Sequence, residues 1–151
     1  MLAEYSSKKC VELRIKGIVQ GVGFRPFIYQ LAHEHFLNGS VLNNSEGVTV
    51  LLEGASESIE TFIDEIDSKK PPLARIDFLQ KEEKSLQNFK DFSILESTSG
   101  IVSTIVSPDI SLCDDCLDEM RDPSNKRYNY PFINCTNCGP RYTIIKSLPY
   151  D

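Results

Sequence analysis

Three glycines and one arginine lie close together in the stretch GIVQGVGFRPF, from Gly17 to Phe27. Glycines allow successive backbone N–H groups to turn towards one point, and the Arg25 guanidinium can bind two phosphate oxygens at once. The stretch has neither the Lys-Ser/Thr of a P-loop nor the G-x-G-x-x-G of a dinucleotide-binding loop. It therefore predicts an anion site of another kind, and the alternative is an ordinary glycine-rich turn with Arg25 in solvent.

Four of the five cysteines form two C-x-x-C pairs, Cys113/Cys116 and Cys135/Cys138, with eighteen residues between the pairs. Two such pairs can supply the four sulfur ligands of a tetrahedral Zn²⁺ site, so the spacing predicts a closed, structural zinc centre. The alternatives are redox-active pairs or free buried thiols. Cys10 stands alone, and the sequence assigns it no role.

Composition restricts the class of protein. The chain has 151 residues, of which 40% are hydrophobic and 25% charged, as is ordinary for a soluble globular protein. Its net charge of -6 argues against a general nucleic-acid binder, which would usually carry a basic face. No apolar run is long enough to span a membrane, and the N-terminus lacks the apolar core of a signal peptide. We therefore expect a cytoplasmic protein with neither nucleic acid nor membrane as partner.

Hydrophobic periodicity predicts the elements that must position these residues. Apolar and polar residues alternate in CVELRIKG, which is typical of a strand, and apolar residues from Arg25 to Phe36 recur at helical spacing. A hairpin over 40–54, a helix over 58–70 and strands over 74–84 and 89–97 complete the pattern. The order strand, helix, strand, strand, helix, strand is the split βαβ arrangement, which places both helices on one face of an antiparallel sheet.

The pattern also divides the chain. Residues 1–97 are expected to form one α+β domain, 98–112 a linker, and 113–151 a small zinc-finger-like module. Within the first domain, the glycine loop leads into the N-terminus of the first helix, where unpaired N–H groups attract anions. Asn43 ends the second strand, where its amide could hold a water molecule beside a bound phosphorus. Spacing alone instead favours Asn43 and Asn44 as turn residues.

The motifs resemble those of the acylphosphatase family. The resemblance lies in Gly17, Val19–Arg25 and the segment from Gly39 to Asn43, which follow the signature G-x-V-Q-G-V-G-F-R and G-x-V-x-N. It implies a ferredoxin-like sandwich that hydrolyses acyl phosphates. It also implies that Arg25 and Asn43 are catalytic, with Asn43 positioning the attacking water. The substrate-binding residues would be Val19, Gln20, Gly21, Val22, Gly23, Phe24 and Arg25.

The segment 107–151, together with the form G-V-G-F-R-P-F from Gly21 to Phe27, extends the resemblance to nearly the whole chain. It is similar to the N-terminal region of the HypF family of hydrogenase-maturation carbamoyltransferases. This implies carbamoyl phosphate as substrate, a HypE-like acceptor protein as partner of the complete enzymes, and the cyanide ligand of [NiFe]-hydrogenase as end product. In that family two more C-x-x-C pairs follow, so we expect a truncated zinc module whose pairs could each share a metal with a missing pair.

The expected function is therefore the binding and hydrolysis of carbamoyl phosphate or another acyl phosphate, as the first step of carbamoyl transfer. Complete transfer is not expected from this fragment. Two alternatives remain open from the sequence. One is a free-standing acylphosphatase of broad specificity, and the other is a non-catalytic zinc-binding interaction module.

Overall fold

The computed structural model describes residues 7–98, 111–135 and 138. Their buried apolar side chains form two clusters that share no residue, one between Val11 and Phe92 and one between Cys116 and Cys138. Most of the predicted linker, residues 99–110, lies outside the described residues. No helix in the described ranges is both long and apolar enough to cross a membrane.

The first body contains five strands and two helices in the predicted order. Their bounds are β1 Lys8–Ile18, α1 Phe24–Glu34, β2 Asn38–Asn44, β3 Gly47–Ala55, α2 Ser56–Lys69, β4 Arg75–Lys84 and β5 Phe92–Ile94. The strands form one sheet in the order β4-β1-β3-β2-β5. The predicted α+β, ferredoxin-like fold class is therefore confirmed.

The sheet differs from the predicted one at its last strand. β1, β2, β3 and β4 pair antiparallel, but β5 runs parallel to β2. After β4 at one edge of the sheet, the chain crosses to the opposite edge before β5 begins, so β5 takes the direction of β2. The expectation of a wholly antiparallel sheet is therefore wrong at this edge.

The core lies between the sheet and the two helices. Alternate β1 residues, Val11, Leu13 and Ile15, are buried on the helix side, and the charged residues between them face outward. Buried residues of α1 and α2 cover them, among them Ile28 and Phe62. Each such side chain contributes roughly 1.5–3 kcal/mol through removal of apolar surface from water. This packing holds the start of α1 against the end of the sheet.

Gly17 belongs to the sheet rather than to the loop that joins β1 to α1, residues 19–23, which is called the anion loop below. It lies within β1 at φ +137°, and a Cβ there would come 2.1 Å from the Arg75 backbone oxygen. The β1–β4 register shifts between Lys16 and Gly17 at the same point. The prediction that this glycine helps to form the anion loop is wrong, because its lack of a side chain permits the close approach of β4.

The second body begins with a helix that the sequence analysis did not predict. α3 spans Asp114–Arg121, and Cys113 occupies the position before it. Asp114 and Asp115 lie in its first turn, where negative charge stabilises a helix N-terminus. The segment is polar and short, so its hydrophobic periodicity is too weak to indicate a helix.

Candidate active site and metal centre

The loop between β1 and α1 has the backbone geometry of an anion site. Gly21 and Gly23 adopt left-handed conformations, with φ +70° and +76°, which side chains disfavour. Gly23 precedes α1, and its carbonyl accepts a hydrogen bond from the Phe27 N–H at 3.2 Å. Left-handed residues in such a loop turn N–H groups towards one side, and the helix N-terminus adds partial positive charge.

Most side chains of this loop point into the protein. Val19, Val22 and Phe24 are each 1% exposed and belong to the core. The buried Gln20 amide donates to the backbone oxygens of Asn44, at 2.7 Å, and Gly47, at 2.8 Å. Gln20 therefore ties the loop to the turn between β2 and β3. Of the predicted substrate-binding residues before Arg25, only the backbone is available for an anion.

Asn43 and Asn44 have different environments. The Asn44 side-chain oxygen accepts from the N–H groups of Glu46 and Gly47, and its amide nitrogen donates to Thr49 Oγ1 at 2.8 Å. Asn44 is therefore the turn residue. Asn43 pairs with Val48 in the β2–β3 ladder and is 1% exposed, on the helix-facing side of the sheet. The interpretation of Asn43 as a turn residue is wrong.

Topology brings the anion loop and Asn43 to the same end of the sheet. β1 and β2 both pair antiparallel with β3, so they run parallel to each other, and their C-terminal ends lie at the same end of the sheet. The loop and Arg25 follow the end of β1, and Asn43 lies at the end of β2. The Gln20 bonds to the β2–β3 turn fix this juxtaposition.

A cavity of about 480 Å³ lies beside Arg25. Its lining comprises Arg25, Pro26 and residues 94–97, which begin at the last residue of β5. The same segment reaches Asn43, because Leu95 N–H donates to the Val41 oxygen and Thr98 N–H donates to the Asn43 oxygen. Nothing in the composition of residues 94–97 marks them as the wall of a cavity, so this part of the candidate site could not be predicted from the sequence.

The four paired cysteines converge in the second body. All four sulfur atoms lie within 4.8 Å of one another. Cys113 and Cys135 sulfurs are 3.5 Å apart, those of Cys116 and Cys138 3.8 Å, and those of Cys135 and Cys138 3.9 Å. Tetrahedral coordination with Zn–S bonds of about 2.3 Å would separate the sulfurs by about 3.8 Å. The donor set and its spacing therefore fit a four-sulfur metal centre.

Two family models match the chain. The acylphosphatase model matches residues 11–94, and the HypF finger model matches residues 112–145. The acylphosphatase of Thermotoga petrophila is 36% identical over 87 residues, which cover 57% of this chain and 96% of that protein. The chain belongs to the acylphosphatase family. The resemblance inferred from the glycine loop is confirmed.

Matches to HypF proteins cover more of this chain than the acylphosphatase matches do. The probable carbamoyltransferase HypF of Methanocaldococcus jannaschii is 49% identical over 150 residues, covering 97% of this chain and 20% of that protein. A crystal structure of full-length HypF in the phosphate- and nucleotide-bound form matches with a TM-score of 0.89 and 48% identity, over 96% of this chain and 19% of that one. The matches fall in the N-terminal region of HypF, as predicted. The chain spans about a fifth of the length of these relatives.

Within the HypF finger, Arg127 joins the two cysteine-bearing segments. Its guanidinium contacts Glu119 on α3 at 2.6 Å and donates to the backbone oxygen of Asn134, the residue before Cys135. Ile133, fully buried, packs with the cysteines. Sequence reasoning missed Arg127, because nothing in its spacing from Glu119 or Asn134 indicates that all three meet.

The Cys116 thiol also indicates how a cation would act at this centre. Burial raises the pKa of Cys116, and its hydrogen bonds with the neighbouring cysteine sulfurs raise that pKa further. A divalent cation would favour the thiolate form of all four sulfurs and so reverse this effect. Cys10 lies apart from the cluster, buried on β1 opposite Glu53 of β3.

Proposed function

We propose that residues 7–98 bind and hydrolyse an acyl phosphate, carbamoyl phosphate in particular. The observation that carries the proposal is the meeting of three features at one end of the sheet. These are the two left-handed glycines at the start of α1, Arg25 in its first turn, and Asn43 at the end of β2. Together they offer donors for phosphate oxygens and an amide beside them.

The roles follow from the chemistry of each group. Backbone N–H groups of residues 19–24 and the Arg25 guanidinium bind the phosphoryl oxygens and stabilise the charge that develops there. Asn43 holds a water molecule in line with the phosphorus. The water oxygen bonds to phosphorus as the bond from phosphorus to the acyl oxygen breaks, and the water proton passes to the products. A carbamoyl phosphate would yield carbamate and inorganic phosphate.

The relatives support carbamoyl phosphate as substrate. Those that match almost all of this chain are named as carbamoyltransferases, and one HypF structure is described as phosphate- and nucleotide-bound. We infer that this chain performs the first step of carbamoyl transfer in [NiFe]-hydrogenase maturation. We assign the later steps, including transfer to a HypE-like acceptor, to parts of the HypF relatives that this chain does not match.

For the second body we propose a structural Zn²⁺ held by Cys113, Cys116, Cys135 and Cys138. Four sulfur ligands fill a tetrahedral centre, so the ion would fold this small body rather than bind substrate. A reducing cytoplasmic setting would keep the four thiols available to the metal.

Phosphate release from carbamoyl phosphate tests the proposal with three variants. Arg25→Ala should raise KM by about a hundredfold, because it removes a charged, two-pronged phosphate contact. Asn43→Ala should lower kcat by about a hundredfold with a smaller change in KM, because a positioned water matters mainly in the transition state. The neighbouring Asn44→Ala serves as the matched control. It should lower the melting temperature, since it removes turn hydrogen bonds, yet leave kcat within about threefold of wild type.

Two outcomes would contradict the proposal. If folded wild-type protein released no phosphate above the uncatalysed rate, the hydrolytic function would be wrong. If Asn43→Ala kept the wild-type kcat, Asn43 would not position the attacking water.

A further inference from the structure

The segment after β5 contains a local irregularity beside the proposed active site. Leu95 N–H bonds to the Val41 oxygen, and a regular parallel ladder would then place the next such bond at residue 97 and the Asn43 oxygen. Instead Thr98 N–H makes that bond, at 3.0 Å. One extra residue is therefore accommodated between 95 and 98. Bulges of this kind redirect side chains and are common next to active sites.

The irregular segment forms one wall of the cavity beside Arg25. Residues 94–97 line it from the sheet edge, and Arg25 and Pro26 line it from the start of α1. One turn further along the helix, the Tyr29 ring lies 6.1 Å from that of Phe92, so this face of α1 packs along β5. The wall therefore lines the cavity with Arg25, and its backbone bonds to β2 at Val41 and Asn43.

We propose that Glu96 selects the acyl group of the substrate by accepting a hydrogen bond from an N–H donor on its carbonyl carbon. This rests on the proposed function, because it assumes an acyl phosphate bound at Arg25. With the phosphate held by the loop, the acyl group is the part of the substrate that extends away from it. We place this group in the cavity beside Arg25, which Arg25 and Glu96 both line.

The chemistry of the lining singles out Glu96. Among the lining residues, Arg25 only donates, and the Ser97 hydroxyl donates as well as accepts. Ile94, Leu95 and Pro26 offer apolar side chains. An ionised carboxylate accepts hydrogen bonds and does not donate them, so Glu96 pairs with an amino group but not with a methyl group. It also repels any bound anion, which penalises all acyl phosphates equally. A hydrogen bond from an N–H donor of the substrate offsets this repulsion, whereas a methyl group does not. The selectivity therefore depends on the repulsion as well as on the hydrogen bond.

Carbamoyl phosphate and acetyl phosphate test the inference directly. They have nearly the same shape and differ in an amino group against a methyl group. The measured quantity is the ratio of kcat/KM for carbamoyl phosphate to that for acetyl phosphate. Glu96→Met keeps the side-chain length and removes the acceptor, so the ratio should fall by about tenfold, the worth of one hydrogen bond to a charged group. Glu96→Gln keeps a neutral acceptor and should retain part of the preference.

Glu57→Met is the matched control, since Glu57 is exposed on α2 and lies outside the cavity lining. It should leave the ratio unchanged. If Glu96 acted through charge alone, Glu96→Met and Glu96→Gln would raise kcat/KM for both substrates equally. An unchanged ratio in Glu96→Met, with both substrates still hydrolysed, would overturn the role of Glu96 and leave the hydrolytic function intact. If wild type hydrolysed neither substrate, the proposed function would fail and this inference with it.

Discussion

Asn43 and Asn44 show how much one position along a strand changes the role of the same residue type. Successive side chains of a strand point to opposite faces of the sheet. Asn43 therefore lies on the helix side, beside buried Val41 and Val48, whereas Asn44 bonds to the N–H groups of the turn. The sequence left open which asparagine forms the turn. The alternation of side chains along β2 decides it, because Asn44 faces the turn and Asn43 faces the helices. A single substitution at each position can then probe chemistry and stability separately.

Glu53 is a buried carboxylate whose partners belong to two other parts of the first body, β1 and the connection from β4 to β5. It is fully buried on β3, with Lys8 Nζ at 2.8 Å and the N–H groups of Gln87 and Asn88 at 2.7 and 3.0 Å. Burial by itself would raise the pKa of Glu53, but the Lys8 ammonium and the two N–H donors outweigh it and lower that pKa. Glu53 thus fixes the connection that carries the chain from β4 to β5.

Glu53→Gln should lower the free energy of unfolding by about 2 kcal/mol at neutral pH, because it removes a charged hydrogen-bond acceptor from its donors. Since the folded-state pKa is lowered, the carboxylate stabilises the protein above the unfolded-state pKa of about 4.3 and loses that effect as pH falls further. The difference between wild type and variant should therefore be constant from pH 8 to 5 and shrink below about pH 4.3. Urea unfolding at several pH values measures it.

The exposed Glu83 provides the control for this prediction. Its contact with Lys9 spans 3.5 Å on the surface, so Glu83→Gln should change stability by less than about 1 kcal/mol. A stability difference for Glu53→Gln that grew as pH fell would contradict the assigned direction of the pKa shift.

At the scale of elements, α3 and the segment before Cys135 are the parts that the proposed metal would bring together. α3 carries Cys116 in its first turn, and Cys113 precedes it. Arg127 joins α3 to this segment through Glu119 and the Asn134 backbone oxygen. We infer that the arginine would support the geometry of the four sulfurs from outside the proposed metal site, as outer-shell residues commonly do.

Arg127→Ala should weaken metal binding by about tenfold to a hundredfold, because the two cysteine-bearing segments lose their link. Competition with a chromogenic chelator measures Zn²⁺ affinity, and the thiolate charge-transfer band of bound Co²⁺ reports the ligand geometry. Arg121→Ala, at the exposed end of α3, is the matched control and should bind as wild type does. Equal affinities for the two variants would show that Arg127 does not support the centre.

At the scale of the whole molecule, the two bodies depend on different forces. The first has a large apolar core between sheet and helices, whereas the second, within its described residues 111–135 and 138, buries Cys116, Ile133 and Cys138 together with a few partly buried neighbours. A cluster of this size offers little burial against the conformational entropy lost on folding. The proposed metal would therefore add stability that this cluster lacks.

Removal of the metal by a chelator should unfold the second body and leave the first folded. Limited proteolysis should then cut within residues 111–138, while phosphate release from carbamoyl phosphate stays within about twofold of the untreated protein, because the cores are separate. Loss of hydrolysis on chelation, restored by Zn²⁺, would show instead that the first body depends on the second.

Sequence patterns determined the parts of this protein that depend on local chemistry. Periodicity revealed the order of strands and helices in the first body, and the glycine loop and cysteine pairs marked the two candidate sites, because these signals lie within a few residues of one another. Tertiary structure alone decided that Gly17 serves the packing of β4, that β5 runs parallel to β2, and that Arg127 meets Glu119 and Asn134. Each of these depends on contacts between residues distant in sequence, and local spacing carries no information about which distant backbone will lie alongside.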